Sequence, residues 1–182
     1  AIQNDSPLIF ILANTRALLP EMAKARIQDI CENFLAACKY LNFAKENLIF
    51  VSRGDSTLRG HVTLEPDVMN HELGPFDATF HIPAFIEGGR FTINGIHYLN
   101  KIPVHKTIFA QDRLFGYSTS DISKFLEQKS QGIIQSKNVE KLTNDYLDSA
   151  FENNIVMLDL IEWISNLNSN RIVVVDAKSE AN

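Results

Sequence analysis

The sequence predicts an α/β fold: a doubly wound, mostly parallel sheet with helices on both faces, and an inserted hairpin and loop region around residues 84–118. Three observations carry this reading. Short apolar runs at 8–13, 48–52 and 172–176 have the length and composition of strands buried on both faces. Between the first two, apolar residues recur at intervals of three and four, the period of an amphipathic helix. The early runs stop at polar clusters, as parallel strands do where they open into loops.

The elements follow in order. Residues 8–13 form the first strand, closed by Asn14, Thr15 and Arg16. Pro20 suits a first helical turn, and Ile27, Ile30, Cys31, Phe34, Leu35, Cys38 and Leu41 define the inner face of a helix over 20–41. Residues 48–52 form the second strand and lead into the polar loop 53–60. A helix over about 61–73 and a strand over 77–82, stopped by Pro83, complete β-α-β-α-β. Asn94-Gly95 between residues 91–93 and 96–99 predicts a hairpin. Ser118, Thr119 or Ser120 caps a helix running to about Lys129, with Ile122, Phe125 and Leu126 inward. Ile133-Ile134 reads as a short strand. Residues 139–152 stay unassigned, and 155–158 fit either a strand or the start of a helix ending near Leu167. On that helix, Trp163, Ile161, Ile164 and Leu167 read as a core face, and residues 172–176 as the last buried strand.

Composition narrows the function. With 182 residues, 45% hydrophobic and 21% charged, the chain has the core of one globular domain, spanning 1–182. Its net charge of -5 is spread evenly, which argues against a general nucleic-acid binder, since such surfaces are basic. The longest apolar run has six residues, against about 20 for a bilayer span. Cys31 and Cys38 lie two helical turns apart, roughly 10 Å, too far for a disulfide. They read as reduced core thiols of a cytoplasmic protein. No signal-peptide pattern is present, and the chain reads as a piece of something longer.

The chemistry concentrates where the runs end. Arg16, Arg53, Arg59 and Arg90 are half of the eight Lys/Arg in residues 1–91, and all four fall on these loops. A guanidinium fork matches a carboxylate or phosphate with two parallel hydrogen bonds. Asn14 and Asp55 suit sugar hydroxyls. One reading is a pocket for a small hydroxylated anion; the other is arginines that pair with local carboxylates such as Glu87 and cap loop ends. The five histidines lack metal-ligand spacing, and no Gly-rich phosphate loop is present. Ser56 lacks a nucleophile elbow and suits hydrogen bonding.

These clusters resemble the four-carbon acid sugar kinases, formerly a domain of unknown function. The matching segments include Ala13-Asn14-Thr15-Arg16, Asp55-Ser56-Thr57-Leu58-Arg59-Gly60, Gly88-Gly89-Arg90, Asn94-Gly95-Ile96-His97-Tyr98, and 104–112 followed by Phe115-Gly116-Tyr117. The string from Asp55 to Gly60 is the most specific. The resemblance implies most of an N-terminal acid-sugar-binding domain. The family's first strand with its Asp-rich loop, and its C-terminal ATP-binding domain, lie outside these residues. ATP and Mg2+ would then bind through that C-terminal domain and not to this piece, which alone would be inactive. The implied reaction is phosphorylation of threonate, erythronate or a 3-oxo-tetronate at the terminal hydroxyl. Asp55 would be catalytic, and Asn14, Arg16, Arg53, Asp55, Ser56, Arg59, Gly60 and Arg90 would bind substrate. The implied partners are the acid sugar and the C-terminal domain; a homodimer is left open, and nucleic acid and membrane are not expected. The alternative is a non-catalytic small-anion-binding or effector-like module of the same fold. Ala13 and Gly54 depart from the family's usual residues, with consequences for substrate choice.

Overall fold

The run Ile172-Val173-Val174-Val175 forms the spine of the molecule. The computed structural model describes residues 8–45 and 48–179. Its elements are α1 (Pro20–Leu41), α2 (Leu64–Leu73), β1 (Ala78–His81), β2 (Arg90–Ile93), β3 (Ile96–Leu99), β4 (Ile102–Pro103), α3 (Ile122–Lys129), β5 (Glu140–Leu142), α4 (Asn144–Glu152), α5 (Asn154–Ser165) and β6 (Arg171–Val175). Strand β6 lies between β1 and β5, parallel to both, with Val173 opposite Phe80 on one side and Glu140 on the other.

Alternation along β6 sends neighbouring valines to opposite faces. Val174 packs with Ile122, Phe125 and Leu126 of α3, and with Leu58, Val104 and Tyr117. Val173 packs with Leu142, with Ala150 of α4 and with Leu160 of α5. The parallel sheet is thus flanked by helices. A third cluster joins Ile27 and Cys31 of α1 to Val68 and Leu73 of α2. No disulfide joins Cys31 and Cys38, and both thiols are buried.

The inserted region forms a second, antiparallel sheet, β2-β3-β4. Its hairpin turns at Asn94 (φ 52) and Gly95 (φ 74). Two successive left-handed residues match the right-handed twist of the flanking strands, which is why Asn-Gly is favoured there. Main-chain hydrogen bonds between Thr92 and Ala177 fasten the hairpin beside the end of β6.

Several expectations need correction. Residues 8–13 and 48–52 are not strands. Ala13 and Phe50 pack against the α1–α2 cluster, where the Phe50 ring meets Phe34 and Phe76. Phe10, Leu12 and Ile49, by contrast, are 87%, 91% and 92% exposed. A parallel strand needs a neighbouring backbone, and among the described residues no strand pairs with the outer edge of β1. Ile133-Ile134 is not a strand either: Gln131 and Gly132 take positive φ after α3, and Ser130 Oγ accepts the Ile134 N–H. Residues 139–152 hold β5 and α4, and 155–158 lie within α5. Trp163 and Leu167 pack on the core, but Ile161 and Ile164 are exposed.

An open sheet edge beside exposed apolar side chains invites association. Light scattering on the purified chain should show mass rising with concentration. Lysine at Ile49 and Val51, both solvent-exposed, should suppress that rise; equal association by wild type and variant would place the contact elsewhere.

Candidate functional site

A cleft of about 1640 Å³ separates residues 48–62 from β1 and the segment after it. Its walls carry Arg16, Lys45, Arg53, Arg59 and Arg90 against Asp55, Glu65 and Asp77. The cleft is therefore cationic in a chain whose net charge is -5. Of the residues singled out from the sequence, Arg16, Arg53, Asp55, Ser56, Arg59, Gly60 and Arg90 line it. Asn14 is exposed at a left-handed position (φ 53) and is not part of the wall, though Thr15 beside it is.

The loop from Asp55 to Gly60 turns tightly. Leu58 N–H donates to Asp55 O at 2.9 Å, and Leu58 takes φ 61. That conformation is costly for a branched residue. It is held because the Leu58 side chain is buried in the α3 core. The turn brings Arg59 back onto Asp55. Asp55 Oδ2 accepts from Arg16 at 2.8 Å and from Arg59 at 2.9 Å. Asp55 Oδ1 accepts from the Thr57 amide at 2.7 Å and from the Thr57 hydroxyl. Burial of Asp55 opposes its ionisation, but the Thr57 hydrogen bonds, then Arg59 and Arg16, outweigh it and hold the carboxyl below its ordinary value.

Arg59 is fully engaged. Its Nε donates to Thr57 Oγ1 at 3.0 Å, its guanidinium lies 4.7 Å from the Phe109 ring centre, and Asp112 Oδ2 stands 3.8 Å away. Arg90 is turned back on its own loop, donating to Gly88 O, while its Nε is buried without a partner. A Cβ at Gly88 would collide with the Arg90 guanidinium and the Phe85 ring, so this fold-back needs glycine there. Arg16 is half exposed and bonded through one nitrogen. Arg53 is exposed on the cleft wall; among the described residues it has no hydrogen bond or ion pair. The arginines therefore divide: Arg59 and Arg16 pair with Asp55, not Glu87, while Arg53 is uncommitted.

Sequence reasoning missed two carboxylates. Glu65, in the first turn of α2, accepts from Thr15 Oγ1 and from Ser52 Oγ, so it ties the ends of the two early apolar runs together. Asp112 accepts the Leu114 and Phe115 amides, which hold its carboxyl below the usual value, and faces Arg59. Asp112 sits inside a motif segment, a signal that was available; nothing local marks Glu65. Gly54 faces open space: a Cβ there would meet no atom within 4 Å. Among the described residues no group of three or more His, Cys, Asp or Glu could hold a metal ion, and no helix is long and apolar enough to cross a membrane.

The fold and the cleft define a class: a mixed α/β domain whose loop ends gather arginines along one cleft. The chain belongs to the family described as the sugar-binding N-terminal domain, whose profile matches residues 1–182. It is 32% identical over 109 residues to a D-erythronate kinase of Heliobacterium modesticaldum, covering 60% of this chain and 23% of the kinase. Two solved structures of domain-of-unknown-function family 1537 share the fold. One, from Bordetella bronchiseptica, is a domain-swapped dimer with bound citrate; it has TM-score 0.59 and 24% identity over 92% of this chain and 36% of its own. The other, from Haemophilus influenzae, has TM-score 0.62 and 19% identity over 91% and 37%. The chain thus spans well under half the length of these relatives.

Proposed function

We propose that this chain is the substrate-binding part of an ATP-dependent kinase acting on the terminal hydroxyl of a four-carbon acid sugar of the erythronate or threonate type. The observation that carries this reading is the uncommitted Arg53 on the wall of a cationic cleft, beside an Asp55–Arg16–Arg59 cluster. A substrate carboxylate then docks on Arg53, with Arg16 able to swing from Asp55 as the second contact. Ser56 and Gly60, on the same wall, suit hydroxyl contacts through side chain and backbone. Asp55 keeps Arg16 and Arg59 aligned; to act on a hydroxyl proton it must first lose Arg16, its more exposed partner. The similarity to a D-erythronate kinase supports the substrate class.

In this proposal the cleft takes the acid sugar and not the nucleotide. The sequence has no Gly-rich phosphate cradle, and the Asp55 carboxylate is already occupied by Thr57, Arg59 and Arg16. ATP and Mg2+ therefore belong, in this proposal, to polypeptide beyond these residues, and this chain is expected to show no turnover by itself in a coupled assay.

Calorimetry tests the proposal with D-erythronate, L-threonate and erythritol, the four-carbon polyol without a carboxylate. The acids should bind and the polyol should not. Arg53→Gln should weaken acid binding by roughly 10- to 150-fold, the value of one charge-assisted hydrogen bond. Equal binding of acid and polyol, or an unaffected Arg53→Gln variant that folds normally, would refute the assignment.

A further inference from the structure

The loop that carries Asp55 and Arg59 is held from behind by two buried side chains of the inserted region. His97, on β3, is 0% exposed. Its Nε2 stands 2.8 Å from Ser56 O, and its Nδ1 stands 2.9 Å from Thr92 Oγ1. A carbonyl can only accept, so Nε2 carries the hydrogen and Nδ1 accepts from the Thr92 hydroxyl. The next carbonyl along the loop, Thr57 O, accepts from the buried Tyr117 hydroxyl at 2.7 Å. Two consecutive carbonyls are thus fixed by donors from separate segments, 41 and 60 residues away.

The two donors are themselves anchored. The His97 amide donates to Ser120 O, and the Ile122 amide donates to Gly95 O, which locks the hairpin to the start of α3. The Tyr117 ring packs edge-on against Phe125, which is 0% exposed. Burial keeps the His97 ring neutral, against the pull of its Ser56 contact, and Arg90 adds to the lowering.

We propose that His97 and Tyr117 are positioning residues of the acid-sugar site. By fixing the carbonyls of Ser56 and Thr57, they hold Leu58 in its left-handed turn and so set Arg59 against Asp55. This rests on the reading of the cleft as an acid-sugar site. Neither residue touches the substrate in this assignment; both act through the loop backbone.

Hydrogen exchange on the 182-residue chain reads the effect without ligand, because the Thr57 and Leu58 amides are both bonded within the loop. Tyr117→Phe and His97→Leu should each speed exchange across residues 56–59 by roughly tenfold, about the value of one buried hydrogen bond, with β6 unchanged. His97→Gln, which keeps an N–H donor near the Ser56 carbonyl, should restore most of the protection lost in His97→Leu. Unchanged loop exchange, or β6 speeding up in proportion, would overturn the proposal. So would a failure of His97→Gln to differ from His97→Leu. Adding D-erythronate separates the two readings. If wild type gains no loop protection, the acid-sugar assignment fails, while the ligand-free comparison still decides whether these residues position the loop. If wild type gains protection, the Tyr117→Phe variant should need about tenfold more acid to reach it; an identical requirement counts against positioning.

Discussion

Asp176→Ala should lower the stability of the chain by about 2–5 kcal/mol, because each buried amide that loses its acceptor costs about 1–3 kcal/mol. Asp176 follows β6 and is 1% exposed. One carboxylate oxygen accepts the Asn94 amide at 2.6 Å and the Asn144 amide at 3.3 Å; the other accepts the Gly95 amide at 2.8 Å. These donors belong to the β2–β3 turn and to the first turn of α4. The carboxylate also sits where the α4 dipole favours negative charge. Alanine would leave the N–H groups of the buried Gly95 and Asn144, and of the exposed Asn94, to be satisfied by water or not at all. The Thr92–Ala177 main-chain bonds remain, so the hairpin should stay docked but loosen. Urea unfolding should show a lower midpoint with an unchanged slope. Asp176→Asn, which keeps one acceptor oxygen, should fall between. A loss below about 1 kcal/mol would mean that water replaces the carboxylate at little cost.

Much of this architecture is local enough to read from the sequence. Pro20 at the start and seven apolar residues at helical spacing define α1, and the structure places the helix at Pro20–Leu41. Asn94-Gly95 encodes its own turn. The β6 run is legible because it is buried on both faces, so nearly every residue is apolar. Residues 8–13 and 48–52 show where composition stops being sufficient. They have strand-like side chains, but pairing depends on a distant backbone that their own residues do not specify. Ile133-Ile134 fails for the opposite reason: the left-handed Gln131 and Gly132 have already committed the segment to ending α3.

The site divides along the same line. Arginines after apolar runs are visible in the sequence, and seven of the eight residues singled out do line one cleft. What each arginine does is not visible, because that depends on partners elsewhere. Arg59 is spent on Asp55, Thr57, Phe109 and Asp112. Glu65, His97 and Tyr117 act on the loop ends from 13 to 60 residues away. Such links carry no spacing rule.

Stability should also fall steeply as pH drops from about 6.5 to 4. His81, at the end of β1 on the cleft wall, has its pKa pushed by burial from 6.5 down to about 4. In the unfolded chain the same ring takes a proton near its ordinary value. Across that window the unfolded state binds more protons than the folded state, so stability rises with pH and is fully present above about 6.5. At 1.36 kcal/mol per pKa unit, the His81 contribution lost by pH 4 is up to about 3 kcal/mol. His97, also held neutral by burial, adds to the loss in the same direction. Asp55 acts lower: its depressed pKa contributes stability above the ordinary carboxylate range, lost only as pH falls through the folded value. The histidine and carboxylate contributions are therefore separable on the pH axis. Urea midpoints measured between about pH 4 and 7.5 should slope strongly for wild type and clearly less for His81→Gln. An NMR titration of the His81 ring should place its midpoint near about 4. Parallel curves for the two proteins, or a His81 midpoint close to 6.5, would show that the ring reaches water in the folded chain and that the cleft wall at the end of β1 is open to solvent.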